Sequence, residues 1–368
     1  MKIPYGRSNF AEIRRRGFFY VDKTPFLPVL ERDESGYGYL IFLRPRRMGK
    51  SLFLSLLEHY YDIARAKEFD ELFSGLWVHE NPTPERGSYL VLTFDFSQVS
   101  VDGGLDSIRE GFFEAAKGSV RTFLSRYRER IQGLGMLQER LEEYKNATSM
   151  LIDLQSVISL TRDKLYVLID EYDNFVNRLL SAGVQDMYET IVQRTGFVRT
   201  FYATLKAGTA SGAVGRIFIT GVSPLLLDDL SSGFNIATNA SQDRDLNALA
   251  GFTRADVEQA LNEFFAARPE LSGQPEFADR GRLLEVLEAN YDGYRFSPEA
   301  RERVFNSDMV LYFLGEIARK RGYPTDLLDL NVRTDYSALQ RIGALTGTAR
   351  AARRTHLEAI LADGGIQS

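Results

Sequence analysis

A basic, glycine-containing octapeptide, RPRRMGKS at residues 44–51, has the residue types that bind phosphate. In a phosphate-binding loop, backbone amides at a helix amino terminus surround the phosphates. A lysine bridges the outer phosphates, and a serine or threonine hydroxyl binds Mg²⁺. Gly49, Lys50 and Ser51 occupy the last three places of that pattern, whereas Arg44 stands where the first glycine is usual. By itself the octapeptide fits a basic turn before an ordinary helix equally well, so its neighbours must decide.

An apolar run precedes the octapeptide and a helical pattern follows it. Residues 37–43 read YGYLIFL, which is typical of a buried strand, and residues 52–63 read LFLSLLEHYYDI. Because phosphate binding requires a strand, a loop and a helix in this order, we predict a nucleotide site here. The residues expected to contact the nucleotide are Arg46, Arg47, Met48, Gly49, Lys50, Ser51 and Leu52.

Two adjacent carboxylates, Asp170 and Glu171, end another apolar run, LYVLI at residues 165–169. In ATPases with this pattern the aspartate holds Mg²⁺, and the glutamate orients and polarises the attacking water. We therefore expect Ser51 and Asp170 to bind the metal and Glu171 to be catalytic. The alternative is a charged exit from a buried strand, which is common. Asp173, two residues further on, is expected to be structural.

Three polar residues are weaker candidates for sensing the terminal phosphate. Thr220 and Ser223 lie at and just beyond the end of the apolar run RIFIT, and Arg244 has the charge to neutralise phosphate. The alternatives are turn chemistry for Thr220 and Ser223 and a surface ion pair for Arg244.

Short apolar runs alternate with amphipathic helical patterns over much of the chain. The runs at residues 37–43, 89–96, 165–169 and 216–220 each end in polar or glycine-containing sequence. This alternation predicts an α/β fold with a parallel sheet and helices on both faces, in which ligands lie beyond the carboxyl ends of the strands. From Gly251 onward, apolar residues recur at helical spacing, which predicts a smaller, mainly helical domain.

Composition excludes several other classes of protein. The 368 residues include 0 Cys and 3 His, which argues against a disulfide scaffold, a thiolate metal site, a cysteine nucleophile and a multi-histidine centre. The net charge of −5 gives no global attraction to nucleic acid. The amino terminus has no signal-peptide pattern, and no run approaches the roughly 18 apolar residues of a membrane span. We therefore expect a cytoplasmic protein.

The sequence as a whole resembles the bacterial AAA-ATPase-like proteins, in which an amino-terminal ATPase region is usually joined to a carboxyl-terminal PD-(D/E)XK nuclease domain. The resemblance rests on blocks in order from residue 3 to about residue 336, among them FLRPRRMGKSLFLSLLEHYYD, VLTFDFS, VLIDEYDNF, ITGVSPLLLDDLSSGFNIATN and YDGYRFS. It implies a P-loop NTPase fold of the AAA-like/ASCE class, with ATP and Mg²⁺ as cofactors. It also implies that Arg44 is normal at the first loop position.

The resemblance suggests four segments. These are a segment packing on the ATPase core (residues 1–35), a P-loop ATPase domain (36–250), a helical domain (251–345), and a tail or the beginning of a missing domain (346–368). After residue 330 no strand carries a spaced Asp and Glu/Asp-x-Lys, so we expect no nuclease activity from this chain. A truncation, a split gene and an effector recruited in trans are the alternatives.

The expected function is ATP binding by an Mg-dependent ATPase or nucleotide switch coupled to a nucleic-acid-related effector. The alternative is a non-hydrolysing module that recruits a nuclease or DNA through its helical domain. The expected partners are therefore ATP and either DNA or a nuclease effector in trans, with no membrane; a homo-oligomer is left open.

Overall fold

The computed structural model describes residues 1–32, 36–181, 185–192, 196–224, 226, 234–324 and 327. The predicted segment 346–368 and the last part of the predicted helical domain lie outside these residues.

Five strands form one sheet in the order β2–β3–β4–β1–β5, and every neighbouring pair is parallel. The strands are β1 (Tyr39–Leu43), β2 (Tyr89–Asp95), β3 (Lys164–Asp170), β4 (Val214–Gly221) and β5 (Thr238–Asn239). Parallel neighbours need long crossover connections, which the helices between the strands supply. The predicted fold class is thereby confirmed: an α/β, P-loop NTPase-like parallel sheet flanked by helices.

The described α-helices include very short and very long ones. In chain order they are α1 (Phe10–Arg15), α2 (Leu27–Leu30), α3 (Lys50–Tyr61), α4 (Phe69–Phe73), α5 (Trp77–Glu80), α6 (Gly104–Tyr127), α7 (Leu134–Glu139), α8 (Ala147–Ser159), α9 (Asn174–Ser181), α10 (Gln185–Val192), α11 (Phe197–Ala210), α12 (Arg254–Ala266), α13 (Pro269–Ser272), α14 (Arg280–Tyr291) and α15 (Ser307–Lys320). Within the described ranges, none of them is both long and apolar enough to cross a bilayer.

The chain divides into two compact units. The sheet unit comprises Leu27–Leu43 and Leu56–Ala240, and the loop unit comprises Met1–Phe26, Arg44–Ser55 and the described residues from Ser241 onward. These limits differ from the predicted boundaries at residues 35 and 250. In addition, Arg44–Ser55 groups with the carboxyl-terminal residues rather than with the sheet. The four-segment division itself remains a prediction.

The sheet unit buries both faces of the sheet. Ile41 and Val167 belong to a large core that includes residues of α6, α8 and α11. Leu40 and Leu168, their neighbours along the strands, are fully buried as well. Since successive strand residues point to opposite faces, continuous burial explains why the strands read as unbroken apolar runs and were recognisable in the sequence.

The loop unit has a separate apolar core. Leu261 of α12, Leu287 of α14 and Phe313 of α15 pack in it together with Phe19 and Val21 from the amino-terminal segment. The unit also contains an antiparallel pair, β6 (Asp292–Tyr294) and β7 (Val304–Phe305). Part of the amino-terminal segment therefore packs with carboxyl-terminal helices, a pairing that periodicity along the chain does not reveal.

Candidate nucleotide site

The phosphate-loop candidate connects β1 to α3, and two of its residues have left-handed backbone conformations. Arg47 has φ +65° and Gly49 has φ +89°. The first α3 hydrogen bond runs from the Phe53 amide to the Gly49 carbonyl, at 3.0 Å. Alternation of right- and left-handed residues curls a chain so that its amides form a concave anion site, and the first amides of a helix have no acceptor within that helix. The left-handed residues at positions 47 and 49 are compatible with such a site.

The ammonium group of Lys50 hydrogen-bonds to the beginning of this loop. Its side chain is buried, and Nζ donates to the carbonyls of Arg44 and Pro45, both at 2.9 Å. Ser51, in the first turn of α3, and Leu52 are partly buried. An ammonium held at the concave loop fits the role predicted for the lysine.

Arg44, at the position of the missing first glycine, is an internal anchor. Its side chain is only 1% exposed and donates to the carbonyls of Ser241 (2.7 Å) and Leu246 (3.0 Å). The guanidinium carbon lies 3.9 Å from the centre of the Phe296 ring, a cation–π contact. Burial lowers the pKa of Arg44 well below its usual value. The arginine thus ties the beginning of the loop to distant parts of the loop unit.

The side chain of Arg47 makes an ion pair rather than standing alone. Its NH1 lies 3.1 Å from a carboxylate oxygen of Asp308 and donates to the Tyr5 hydroxyl at 3.3 Å. Met48, also predicted to contact nucleotide, has a buried side chain. The contacts predicted for Arg46, Arg47 and Met48 with nucleotide stay predictions, and the most direct candidates among them are backbone groups.

In the sheet unit, the structure brings Asp170 and Thr220 together. Asp170 is the last residue of β3, and the Thr220 hydroxyl on the neighbouring β4 donates to its carboxylate at 2.5 Å. The Glu171 amide donates to the same oxygen at 3.1 Å. Glu171 itself has φ +49°, a conformation that is costly for a residue with a β-carbon. Such conformations concentrate at functional sites, where surrounding contacts impose them.

The turn after Glu171 is hydrogen-bonded to the turn after β4. The buried carboxylate of Asp173 accepts hydrogen bonds from the amides of Val222 (3.1 Å) and Ser223 (2.6 Å) and from the side-chain amide of Asn177 (2.7 Å). The Tyr172 hydroxyl donates to the Ser223 carbonyl at 2.5 Å. Asp173 therefore has the structural role predicted for it, and Ser223 is held mainly through its backbone.

Gly221 lies between these two turns because no side chain fits there. A β-carbon at this position would lie 2.3 Å from the Tyr172 ring and 2.6 Å from Asp173 Oδ1. The glycine permits the close approach of the two turns, which in turn fixes where Thr220 meets Asp170.

Arg244, the third sensor candidate, lies in a short 3₁₀ helix at Arg244–Leu246. Its side chain is 64% exposed and lies 3.7 Å from the Asp245 carboxylate. This is the surface ion pair named as the alternative, and a sensing role remains a prediction.

The donor set fits ATP and Mg²⁺. Within the loop unit, the loop offers backbone amides, the buried Lys50 ammonium and the Ser51 hydroxyl. Within the sheet unit, Asp170 offers carboxylate oxygens; hydroxyl and carboxylate oxygens are the kind of hard ligand that Mg²⁺ prefers. No described cluster of three or more His, Asp or Glu side chains is arranged as a complete metal cage. Mg²⁺ at nucleotide sites takes one or two protein oxygens and fills its octahedron with water and phosphate, so such a cage is not needed.

Sequence reasoning missed the residues that hold the loop from the carboxyl-terminal side. They are Gly251, Asn306, Ser307 and Asp308. The letters NSD before MVLYFL do signal a helix amino terminus. No local pattern indicates that this helix begins beside a loop about 260 positions earlier.

Comparisons with known proteins give a family match and a curated relative. A family model described as "Predicted AAA-ATPase" (AAA-ATPase_like) matches residues 4–231. A curated protein from Azotobacter chroococcum mcd 1, described as an uncharacterized protein in the vnfD 5′ region, is 29% identical over 339 residues. The match covers 89% of this chain and 56% of that protein, so the chain spans about half the length of this relative. No solved structure matches the chain.

Proposed function

Because this chain belongs to the predicted AAA-ATPase family, we propose that it binds ATP with Mg²⁺ and hydrolyses it. The observation that carries the proposal is the loop itself: two left-handed residues between β1 and α3, followed by a buried lysine at the first position of α3. Family membership supports a general ATPase-like function. The roles of individual residues described below are our proposals.

In this proposal the amides of residues 46–52 and the Lys50 ammonium bind the phosphates. Ser51 and Asp170 hold Mg²⁺, which when bound neutralises charge on the phosphate oxygens. Glu171 accepts a hydrogen bond from the attacking water and orients it as a general base. Thr220 orients the Asp170 carboxylate through its 2.5 Å hydrogen bond.

Sheet topology supports a ligand site at the carboxyl edge of the sheet. β1, which ends directly before the loop, and β3, which ends at Asp170, are parallel strands of one sheet with only β4 between them. The carboxyl ends of parallel strands lie at the same sheet edge, where ligands of such sheets bind.

Coupling to a nucleic-acid-related effector, DNA or a nuclease acting in trans, is a further part of the proposal. It rests on the family resemblance. The length of the Azotobacter relative leaves room for further parts, but its printed description assigns it no activity.

Two variants test the proposal by separating binding from turnover. Affinity for ATP·Mg is measured by titration calorimetry, and phosphate release is measured with and without DNA. Lys50→Ala should lose binding, since its ammonium is the loop's buried cation. Glu171→Gln should bind ATP·Mg like wild type, but its rate of hydrolysis should fall by at least roughly 100-fold. Lys145→Ala, an exposed lysine of the sheet unit, serves as the charge-matched control and should change neither quantity.

The outcomes distinguish the functions. Unchanged hydrolysis in Glu171→Gln would remove Glu171 from its role. Wild-type protein that binds ATP without releasing phosphate, with or without DNA, would favour the non-hydrolysing module. No nucleotide binding by the wild type would refute the proposed ATPase and leave only a module that recruits its partner without nucleotide.

A further inference from the structure

Three consecutive residues at the beginning of α15 hydrogen-bond to the backbone of the phosphate loop. The Asn306 side-chain amide donates to the Arg46 carbonyl at 3.3 Å. The Ser307 hydroxyl and the Asp308 amide both donate to the Arg47 carbonyl, each at 3.3 Å. These contacts lie within the loop unit, and Asn306 and Ser307 are buried.

Gly251 continues this contact to the next loop residue. Its amide donates to the Met48 carbonyl at 2.7 Å, and the adjacent Phe252 exchanges two hydrogen bonds with Phe305, at 3.1 and 2.7 Å. A β-carbon on Gly251 would lie 2.7 Å from Met48 Cε and 2.8 Å from the Phe305 carbonyl oxygen, so only glycine fits. We call residues 251 and 306–308 the α15 clasp.

The clasp fixes the direction of three successive peptide groups. In a trans peptide the carbonyl of one residue and the amide of the next point in opposite directions, and the described chain has no cis peptide. Donors from the clasp hold the carbonyls of Arg46, Arg47 and Met48 on one side of the loop. The amides of Arg47, Met48 and Gly49 are therefore directed away from the clasp, toward the side of the loop on which we propose that phosphate binds.

The same contacts explain how Arg47 keeps a left-handed conformation. A residue with a β-carbon adopts positive φ at a cost, and such a conformation persists only when its surroundings determine it. Arg47 is the residue most tightly surrounded by the clasp: its carbonyl accepts two hydrogen bonds, and its guanidinium pairs with Asp308.

We propose that the α15 clasp is a positioning element that sets the phosphate-binding conformation of the loop, so that affinity for ATP·Mg depends on the beginning of α15. The ligand in this statement rests on the function proposed above. Because coupling between two events is reciprocal, bound ATP also stabilises the beginning of α15, and anything that shifts α15 changes nucleotide affinity.

The test removes the clasp's side-chain donors and keeps the helix cap. Asn306 also caps α15 by accepting from the Met309 amide at 3.3 Å. Serine is an equally good cap, but its side chain is too short to span both contacts, so Asn306→Ser combined with Ser307→Ala removes both donors to the loop. Asp279→Ala, which removes the cap of α14 in the same unit, is the control for a generic loss of helix stability.

Three measurements distinguish the outcomes. Hydrogen–deuterium exchange of residues 44–53 is measured without nucleotide, and ATP·Mg affinity is measured by calorimetry. We expect faster exchange of the loop in the double variant and affinity reduced by roughly tenfold, since two hydrogen bonds are lost. Steady-state kinetics should show a raised KM with kcat at saturation within about twofold of wild type. The Asp279→Ala control should match wild type in all three.

Loop exchange and affinity equal to wild type in a folded double variant would overturn the proposal. If the wild type binds no ATP, the proposed function fails, while loop exchange measured without nucleotide still decides whether the clasp positions the loop. Should the double variant not fold, Asn306→Ser alone is judged by the same three measurements.

Discussion

Glu171, the candidate catalytic residue, has a backbone conformation that its residue type does not favour. Glutamate and arginine give no sequence signal for positive φ, yet Glu171 and Arg47 both have it. The sequence predicts both as site residues from their neighbours in DE and RPRRMGKS, because those motifs are typical of nucleotide chemistry. It could not reveal their φ angles, because these depend on contacts with distant residues such as Thr220 and Asp308.

Because Glu171 is left-handed, we expect glycine to be more stabilising than alanine at this position, the reverse of their order within a helix. We expect Glu171→Gly to be more stable to unfolding than Glu171→Ala by about 1 kcal/mol, because glycine adopts positive φ without steric cost. Urea denaturation of the two proteins measures the difference, and neither should hydrolyse ATP, since both lack the carboxylate. If the alanine variant is the more stable, as at an ordinary helical position, the conformation is not as described.

Gly221 provides a second test at this scale. We expect Gly221→Ala to lower the free energy of unfolding by roughly 1–3 kcal/mol, since its methyl group would overlap the Tyr172 ring. The matched control is Gly118→Ala within α6, where a β-carbon meets nothing within 4 Å. That change should stabilise by about 0.5–1 kcal/mol, because alanine is the better helix former. Equal effects of the two substitutions would contradict the tight packing described for Gly221.

Among the elements, α3 is held at both ends by different means. It begins at Lys50 in the phosphate loop and ends at Tyr61. The next residue, Asp62, is fully buried and accepts hydrogen bonds from the Tyr127 hydroxyl (2.6 Å) and from Arg126 (2.8 Å) on α6. Burial raises the pKa of Asp62, whereas these donors oppose the rise. This anchor fixes the end of the helix whose beginning would bind phosphate.

We expect Asp62→Ala to lower the free energy of unfolding by about 3 kcal/mol, because it leaves the Arg126 charge and the Tyr127 hydroxyl without this acceptor. Thermal or urea denaturation measures the loss. Asp70→Ala is the control, since the Asp70 side chain is 91% exposed in its pair with His79, and it should change stability by less than about 0.5 kcal/mol. A loss at position 62 no greater than at position 70 would show that the anchor is unimportant.

At the scale of elements, apolar runs predicted the four longer strands to within two residues. Each is buried on both faces over most of its length, so its sequence is mainly apolar and easy to recognise. β5 has only two residues, Thr238 and Asn239, and is too short to give any pattern. It pairs with β1 through tertiary structure alone.

For the whole molecule, the sequence predicted one continuous ATPase domain, whereas the compact units are discontinuous in sequence. Arg44–Ser55 belongs with residues from both ends of the chain. The contacts responsible, such as Arg44 with Ser241 and Met48 with Gly251, join residues about 200 positions apart. A prediction from local spacing has no access to such pairs.

The discontinuity predicts the behaviour of a fragment. Residues 1–240 contain both nucleotide motifs and all of the matched region 4–231. They lack Ser241 and Leu246, which accept from Arg44, as well as Gly251 and Asp308, which contact Met48 and Arg47. We expect this fragment to keep the far-ultraviolet circular dichroism of the sheet unit and not to bind ATP·Mg, and co-expression with residues 241–368 should restore binding. Full affinity in residues 1–240 alone would mean that the carboxyl-terminal contacts do not shape the loop.

The distance along the chain between the phosphate loop and the clasp also sets an order of events during synthesis. Asn306 is translated 260 residues after Arg46, which at bacterial and eukaryotic ribosome speeds of about 5–20 residues per second takes roughly 13–52 s. Throughout that interval the nascent polypeptide carries the loop without the α15 residues that we propose orient its peptide groups. If the proposal holds, an emerging chain would bind ATP tightly only after residues 306–308 have left the ribosome.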